Sequence, residues 1–294
     1  RSRGGDARQL YAATANLGLV QHALGRLREA ARLLTRAGEL AEEIGRRREV
    51  AESLLNLARV EIDRGCLEEA HACLQRSLHL AEAVDHGRLI PNIRLCLSEV
   101  AHHRGRFEEA EALTASLLHE AREGGQEHME TVLCLNLAQI CLAQGRLEEA
   151  ESHIIAAEST AQAREDKSLL APILAVRAQI AAARGRLEEA RHAIQRALRA
   201  QRDVGGNRDE AFLSRAEGAV ELVAGDGRAA RRHAQRAIRL AEKQGLAREA
   251  AHAHALAAQI DWGHPNGKTS RHRQRARALA AGVGDEALLA TLAN

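Results

Sequence analysis

Gly185-Arg186-Leu187-Glu188-Glu189-Ala190 repeats Gly145-Arg146-Leu147-Glu148-Glu149-Ala150 from forty residues earlier in the chain. The same interval leads back to Gly105-Arg106-Phe107-Glu108-Glu109-Ala110, then to Gly65, and finally to Gly25-Arg26-Leu27-Arg28-Glu29-Ala30. Gly225 extends the series of glycines to six. A period of this length marks an array in which each unit is one supersecondary element completed by its neighbours. Such an array presents an extended surface, which narrows the function to recognition.

Around Gly65, apolar residues at Val50, Leu54, Leu57, Ala58, Val60 and Ile62 recur with helical spacing, and so do Leu67, Ala70, Leu74, Leu78 and Leu80. The pattern predicts two amphipathic helices reversing at the glycine, which accepts left-handed backbone angles without a side-chain clash. A small residue stands seven positions before each turn, as at Ala58, Ser98, Ala138, Ala178 and Gly218. Another stands five positions after it, as at Ala30, Ala70, Ala110, Ala150, Ala190 and Ala230. These positions predict close approach of the two helices, with Leu27, Leu67, Phe107, Leu147 and Leu187 plugging the turn.

The 294 residues therefore read as seven hairpin units, about 6–45, 46–85, 86–125, 126–165, 166–205, 206–245 and 246–284, with a capping helix at 285–294. Aromatics make up only 1% of the chain and prolines number three, a composition suited to packed helices with thin side chains. No segment approaches a membrane span. Five cysteines without a Cys-x-x-Cys pair predict reduced thiols and a cytoplasmic location. The sole methionine is Met129, which predicts a piece of a longer polypeptide. Net charge is +2, but 66–165 carries 17 acidic against 8 basic residues, whereas 191–277 carries 18 basic against 9 acidic.

Asn56-Leu57-Ala58, with Gly65 and then Glu68-Glu69-Ala70 downstream, resembles the tetratricopeptide repeat, as do Asn16-Leu17-Gly18 and Asn136-Leu137-Ala138. The forty-residue unit is longer than the common one, and the usual aromatic and proline are mostly missing. Units of this kind are similar to the repeat regions of large bacterial LuxR-type and signal-transduction ATPase regulators. The resemblance implies an all-α, right-handed solenoid, and a non-catalytic sensor or regulatory region attached to further domains.

It also implies that the first helix of each unit lines a concave groove. Counting from the turns places Arg59, Asn92, Glu99, His102, His103, Gln139, Gln179, Phe212, Arg215 and Gln259 there, along with Leu55, Ile62, Leu135 and Trp262. Small apolar walls with a few polar anchors suit an extended peptide or a helix of a partner protein. Alternatives are a small inducer in the groove and nucleic acid on the basic C-terminal half, where Arg271, Arg273, Arg275 and Arg277 form a run. That run lacks an aromatic platform, so a solvated terminal helix is the preferred reading. Pro265 and Ser270 replace the repeat's glycine and alanine there, as expected of a cap. Self-association through the acidic middle and basic end is a further alternative. Cys96 and His103, His252 and His254, and Cys134 and Cys141 lack the spacing of a structural zinc site, and no cofactor or metal is expected. The Glu-Glu pairs serve helix N-termini, so no catalytic residue is assigned.

Overall fold

The computed structural model describes the backbone of residues 3–204, 209–261 and 268–293, and the side chains of 7–204, 209–261 and 271–293. All regular structure in these residues is helical. The helices pair in chain order: α1 (Arg3–Ala23) with α2 (Leu27–Glu43), α3 (Arg47–Arg64) with α4 (Leu67–Ala83), α5 (Ile90–His103) with α6 (Phe107–Glu123), and α7 (Glu127–Ala143) with α8 (Leu147–Ala163). The series continues with α9 (Lys167–Ala183) and α10 (Leu187–Val204), α11 (Glu210–Val223) and α12 (Gly227–Gln244), α13 (Ala247–Ile260) and α14 (Lys268–Val283), and ends in α15 (Glu286–Ala293). Each helix packs on the next, building a right-handed α-solenoid. Trp262 and Pro265 lie outside the described residues.

The first six hairpins turn where the sequence places their glycines. Gly25, Gly65, Gly105, Gly145, Gly185 and Gly225 all take φ between +73° and +82°. At Gly65 the turn is closed by two backbone hydrogen bonds, Gly65 N to Ile62 O at 3.0 Å and Cys66 N to Glu61 O at 2.8 Å, which satisfy carbonyls left over at the helix end. A second series of left-handed residues lies midway between these turns: Gly45, Asp85, Gly125, Glu165 and Gly245. The forty-residue period thus contains two reversals twenty residues apart. Asp85 and Glu165 adopt this conformation at a cost of about 1 kcal/mol each, because their Cβ atoms crowd the backbone.

The small residues do the packing work their spacing predicts. Ala30, Ala70, Ala110, Ala150, Ala190 and Ala230 are fully buried, as are Ala58, Ala138 and Ala178. A Cβ on Gly18 would lie 2.9 Å from Leu34 Cγ, and one on Gly218 would lie 3.2 Å from the Ala230 carbonyl oxygen. Ser98 spends its hydroxyl across the same gap, donating to Ala110 O at 3.0 Å. The turn plugs are less uniform. Leu27 and Leu67 are buried, whereas Phe107, Leu147 and Leu187 remain half-buried.

The solenoid closes on itself. Helix α13 reaches α3, and α15 reaches α5. A Cβ on Gly65 would lie 2.5 Å from Val283 Cγ1, and one on Gly105 would lie 3.4 Å from the Ala287 backbone nitrogen. The second and third hairpins thereby meet the seventh hairpin and α15 within one chain.

Candidate functional site

Closure converts the concave face into a central cavity of three chambers, about 740, 440 and 230 Å³. His102 and His103, at the end of α5, and Arg248, at the start of α13, line all three. The largest chamber has apolar walls from Phe107, Ala219, Leu256 and Leu288, with Arg215, Arg273 and Gln259 at its polar edge. The second is walled by Gln139, Gln179, Phe212 and Glu249, and the third by Asp63, Glu99, Asn136 and Gln139.

Of the groove residues expected from sequence, Glu99, His102, His103, Gln139, Gln179, Phe212, Arg215 and Gln259 are brought together around these chambers. Arg59 and Asn92 do not line these chambers, and Arg59 Nη2 donates to Asn92 Oδ1 at 3.4 Å. Leu55 and Leu135 turn into the core instead of the groove, and Ile62, though it borders the third chamber, is also buried. The register carries them to the face that meets the neighbouring helices, where their apolar side chains leave water.

The central residues hold one another in place. Arg215 Nε donates to Glu249 at 2.5 Å, and its guanidinium stands 5.3 Å from the Phe212 ring centroid. His252 Nε2 lies 2.9 Å from Asp285 Oδ2, while Asp285 Oδ1 accepts from the Leu288 backbone N–H at 2.9 Å and so caps α15. Burial alone would push the Asp285 carboxyl up, but the bonds from His252 and Leu288 outweigh it and hold the group below the usual carboxylate range. His22 and Asp63 are 2.6 Å apart on the neighbouring wall.

The Arg248 guanidinium donates to the imidazole His103 Nδ1 at 3.1 Å. Burial, reinforced by the Arg248 charge, lowers His103 well below the ordinary imidazole range and brings His102 down to about 4. Both rings are neutral at pH 7. Burial acts in the opposite sense on Glu99, raising its carboxyl despite the opposing charge of Arg59. His102 Nδ1 and Gln179 Nε2 are buried polar atoms with no hydrogen-bond partner in the protein. Such groups are costly unless something bonds to them.

The chemistry on offer is hydrogen bonding and charge recognition. The nearby Cys96 thiol is pushed up to about 12 by burial, which leaves it protonated and a poor nucleophile. Away from the cavity, Glu111, Cys141 and Glu149 come within metal-ligating distance of one another. The Arg146 guanidinium bonds both carboxylates, at 2.5 Å and 3.1 Å, so their charge already has a counterion. The C-terminal basic run is also partly engaged: Arg273 and Arg277 donate to the Leu292 carbonyl at 2.7 Å and 2.5 Å, closing the end of α15.

Sequence reasoning missed Arg248, Asp285 and Asp63. An arginine also occupies the equivalent of position 248 at Arg8, Arg48 and Arg88, so nothing in the repeat distinguishes it. It becomes central only because the seventh hairpin returns to the third.

These features define a tetratricopeptide-type superhelix whose concave face forms a central cleft. The family described as the MalT-like TPR region matches residues 4–162, more than half of the chain, and a tetratricopeptide-repeat family matches residues 171–196. The chain belongs to the MalT-like tetratricopeptide-repeat family. A search of curated proteins finds no match. Among solved structures, the fold is similar to a Rap protein complexed with Competence and Sporulation Factor, at 16% identity and TM-score 0.78 over 94% of this chain and 76% of that one. A Rap conjugation gene regulator in complex with a Phr peptide aligns at 14% identity and TM-score 0.80, over 95% and 75%. A signal-transduction ATPase with a tetratricopeptide-repeat sensor, from Pyrococcus horikoshii, aligns at 18% identity and TM-score 0.57, over 90% of this chain and 41% of that protein. No helix in the described residues is long and apolar enough to cross a membrane.

Proposed function

We propose that the chain is a non-catalytic recognition module that binds a peptide or protein segment in its central cavity. In this reading it acts as the cytoplasmic sensor or regulatory region of a larger bacterial signalling or transcription-regulatory protein. The observation that carries the reading is the convergence of three chambers on His102, His103 and Arg248. Unpartnered polar atoms there can bond a ligand's backbone, while the apolar wall of Phe107, Leu256 and Leu288 takes its side chains. The two Rap structures, each in complex with a named factor or peptide, support the same reading by analogy of fold. A small inducer is the second reading, favoured by the size of the largest chamber, which lies within the usual range for small-molecule pockets.

Panning a phage-displayed heptapeptide library on the purified chain tests the first reading. Enriched peptides should bind saturably in calorimetry, and Arg248→Ala should weaken them about tenfold or more. Failure to enrich any sequence, or enriched peptides indifferent to Arg248→Ala and Gln139→Ala, would remove the cavity as a peptide site. A metabolite panel read by thermal shift covers the inducer reading, since a ligand of the folded state raises the melting temperature.

A further inference from the structure

Helix α12 carries six arginines and lysines against a single acid, Glu242, which faces His254 of α13 at 3.6 Å. Arg228, Arg232, Arg236, Arg239 and Lys243 follow one another at intervals of four, four, three and four residues, and all are exposed. They form one row about 22 Å long within roughly an 80° sector of the helix, at the usual helical rise and rotation per residue. The same positions hold Glu108, Ala112, Ser116, His119 and Glu123 in α6, and Glu148, Ser152, Ala156, Ser159 and Ala163 in α8. None of the five lines the central chambers, so the row is separate from the cavity.

Many exposed arginines elsewhere are matched by carboxylates of other helices, as Arg94 is by Glu120 at 2.8 Å, Arg164 by Glu127 at 2.7 Å and Arg191 by Glu221 at 2.9 Å. Among the described residues, no carboxylate forms an ion pair with any member of the α12 row. The helix itself opposes this arrangement in two ways. Like charges four residues apart repel, and Arg228 puts a positive charge in the first turn, where the helix dipole favours the acids that α6, α8 and α10 carry at Glu108, Glu148 and Glu188. Because α12 is interior to the array, with α10 before it and α14 after, its outward face is not one left bare by an end of the chain. A row that its own helix disfavours, and that no neighbour neutralises, fits a polyanion supplied from outside.

We infer that the α12 row binds the phosphate backbone of double-stranded DNA without reading its sequence. Four of the five residues are arginines, whose planar fork can give a phosphate two parallel hydrogen bonds. Gln235, exposed beside the row, adds an uncharged donor. No large apolar side chain of α12 is exposed and the helix has no Phe, Tyr or Trp, so the row has neither the apolar centre of a protein interface nor a platform for single-stranded bases. Its length spans about six base steps of a duplex. The inference does not depend on what the cavity binds.

Fluorescence anisotropy of the whole chain with a labelled, random-sequence DNA duplex of 20 base pairs, at 50 and 200 mM NaCl, tests the inference. About five phosphate contacts should weaken binding about 500-fold across that change in salt. Arg232→Gln and Arg239→Gln, made singly, should each weaken binding at 50 mM and reduce the slope of log K against log salt by about 1, whereas Arg122→Gln, at an exposed arginine of α6, should change neither. Each α12 change removes a like-charge neighbour, so the melting temperature without DNA should hold or rise, which separates lost contact from lost folding. No binding at 50 mM NaCl, a salt slope that both α12 variants leave unchanged, or tighter binding of polyglutamate or of a single-stranded 20-mer than of the duplex, overturns the assignment.

Discussion

The turns at Gly65 and Gly105 share their phrase with those at Gly145 and Gly185, yet the two pairs live in different surroundings. Val283 and Ala287 press on the first pair, while a Cβ at Gly145 or Gly185 would meet nothing within 4 Å. Closely similar local sequence takes the same turn in both places, with φ of +79° and +73° against +74° and +75°. The difference is imposed by where the superhelix carries the chain after four more hairpins. A repeat therefore specifies its own hairpin, whereas its surroundings depend on the accumulated rotation of all the hairpins between.

Substitution of the turn glycines is the sharpest way to break this comparison. Gly65→Asn adds a Cβ into Val283 as well as a left-handed side-chain residue, and should cost about 2–4 kcal/mol and enlarge the radius of gyration in solution scattering as the ring opens. Val283→Ala in the same chain should restore part of that loss. If Gly65→Asn leaves both the melting temperature and the scattering profile unchanged, the closed ring is not the state in solution.

Next in size are changes that should not distinguish the two regions. Ala70 and Ala150 are both fully buried between the helices of their hairpins, one on the closed side and one on the open side. Ala70→Leu and Ala150→Leu should each cost about 1–3 kcal/mol by overpacking, measured by chemical denaturation. A marked difference between them would show that closure tightens the hairpins as well as covering their turns.

Acid should act on the closed side. His102 and His103 titrate lower in the folded chain than the ordinary imidazole value of about 6.5, so the unfolded chain binds more protons between the two. Their neutral burial is fully compatible with folding above about pH 6.5, and stability falls as pH drops from there toward 4. Glu99, raised in the folded chain, works in the opposite direction and tempers the loss. The expected net change at pH 5 is about 1–2 kcal/mol. His102→Gln should flatten the profile measured by thermal melts between pH 5 and 7.5, and an unaltered slope would mean that these rings stay solvated. The equivalent positions in α7 are Leu142 and Ala143, which have no such response.

The smallest effect is expected at the open turn. Gly185→Asn keeps a residue tolerant of the left-handed region in open space, and should cost about 1 kcal/mol or less without altering the scattering profile. A loss as large as that at Gly65 would erase the distinction between covered and open turns.

Much of the fold was legible because it is local. The glycine period, the alanines at Ala70 and Ala150 and the apolar spacing each report a contact made within one hairpin or with its neighbour. The second turn was harder to read, because Gly45 and Gly125 alternate with Asp85 and Glu165, and only backbone angles reveal them as one series. The candidate site was partly legible. Helical counting placed Gln139, Gln179 and Arg215 near the inner face, but Leu55 and Leu135, placed there too, are buried in the core. Arg248 was invisible, since its counterparts Arg8, Arg48 and Arg88 are also arginines.

What the sequence determined by itself is the hairpin and its repetition: a small residue where helices touch, a glycine where they reverse, and an apolar stripe for the next unit to cover. Those choices act over one or two helices, and forty residues contain them. Only the tertiary structure decided that α13 and α15 return to α3 and α5, that Arg248 meets His103, and that the inner face becomes a central cavity. Closure is the sum of small rotations between successive hairpins, and a sum over seven units is not written in any one of them.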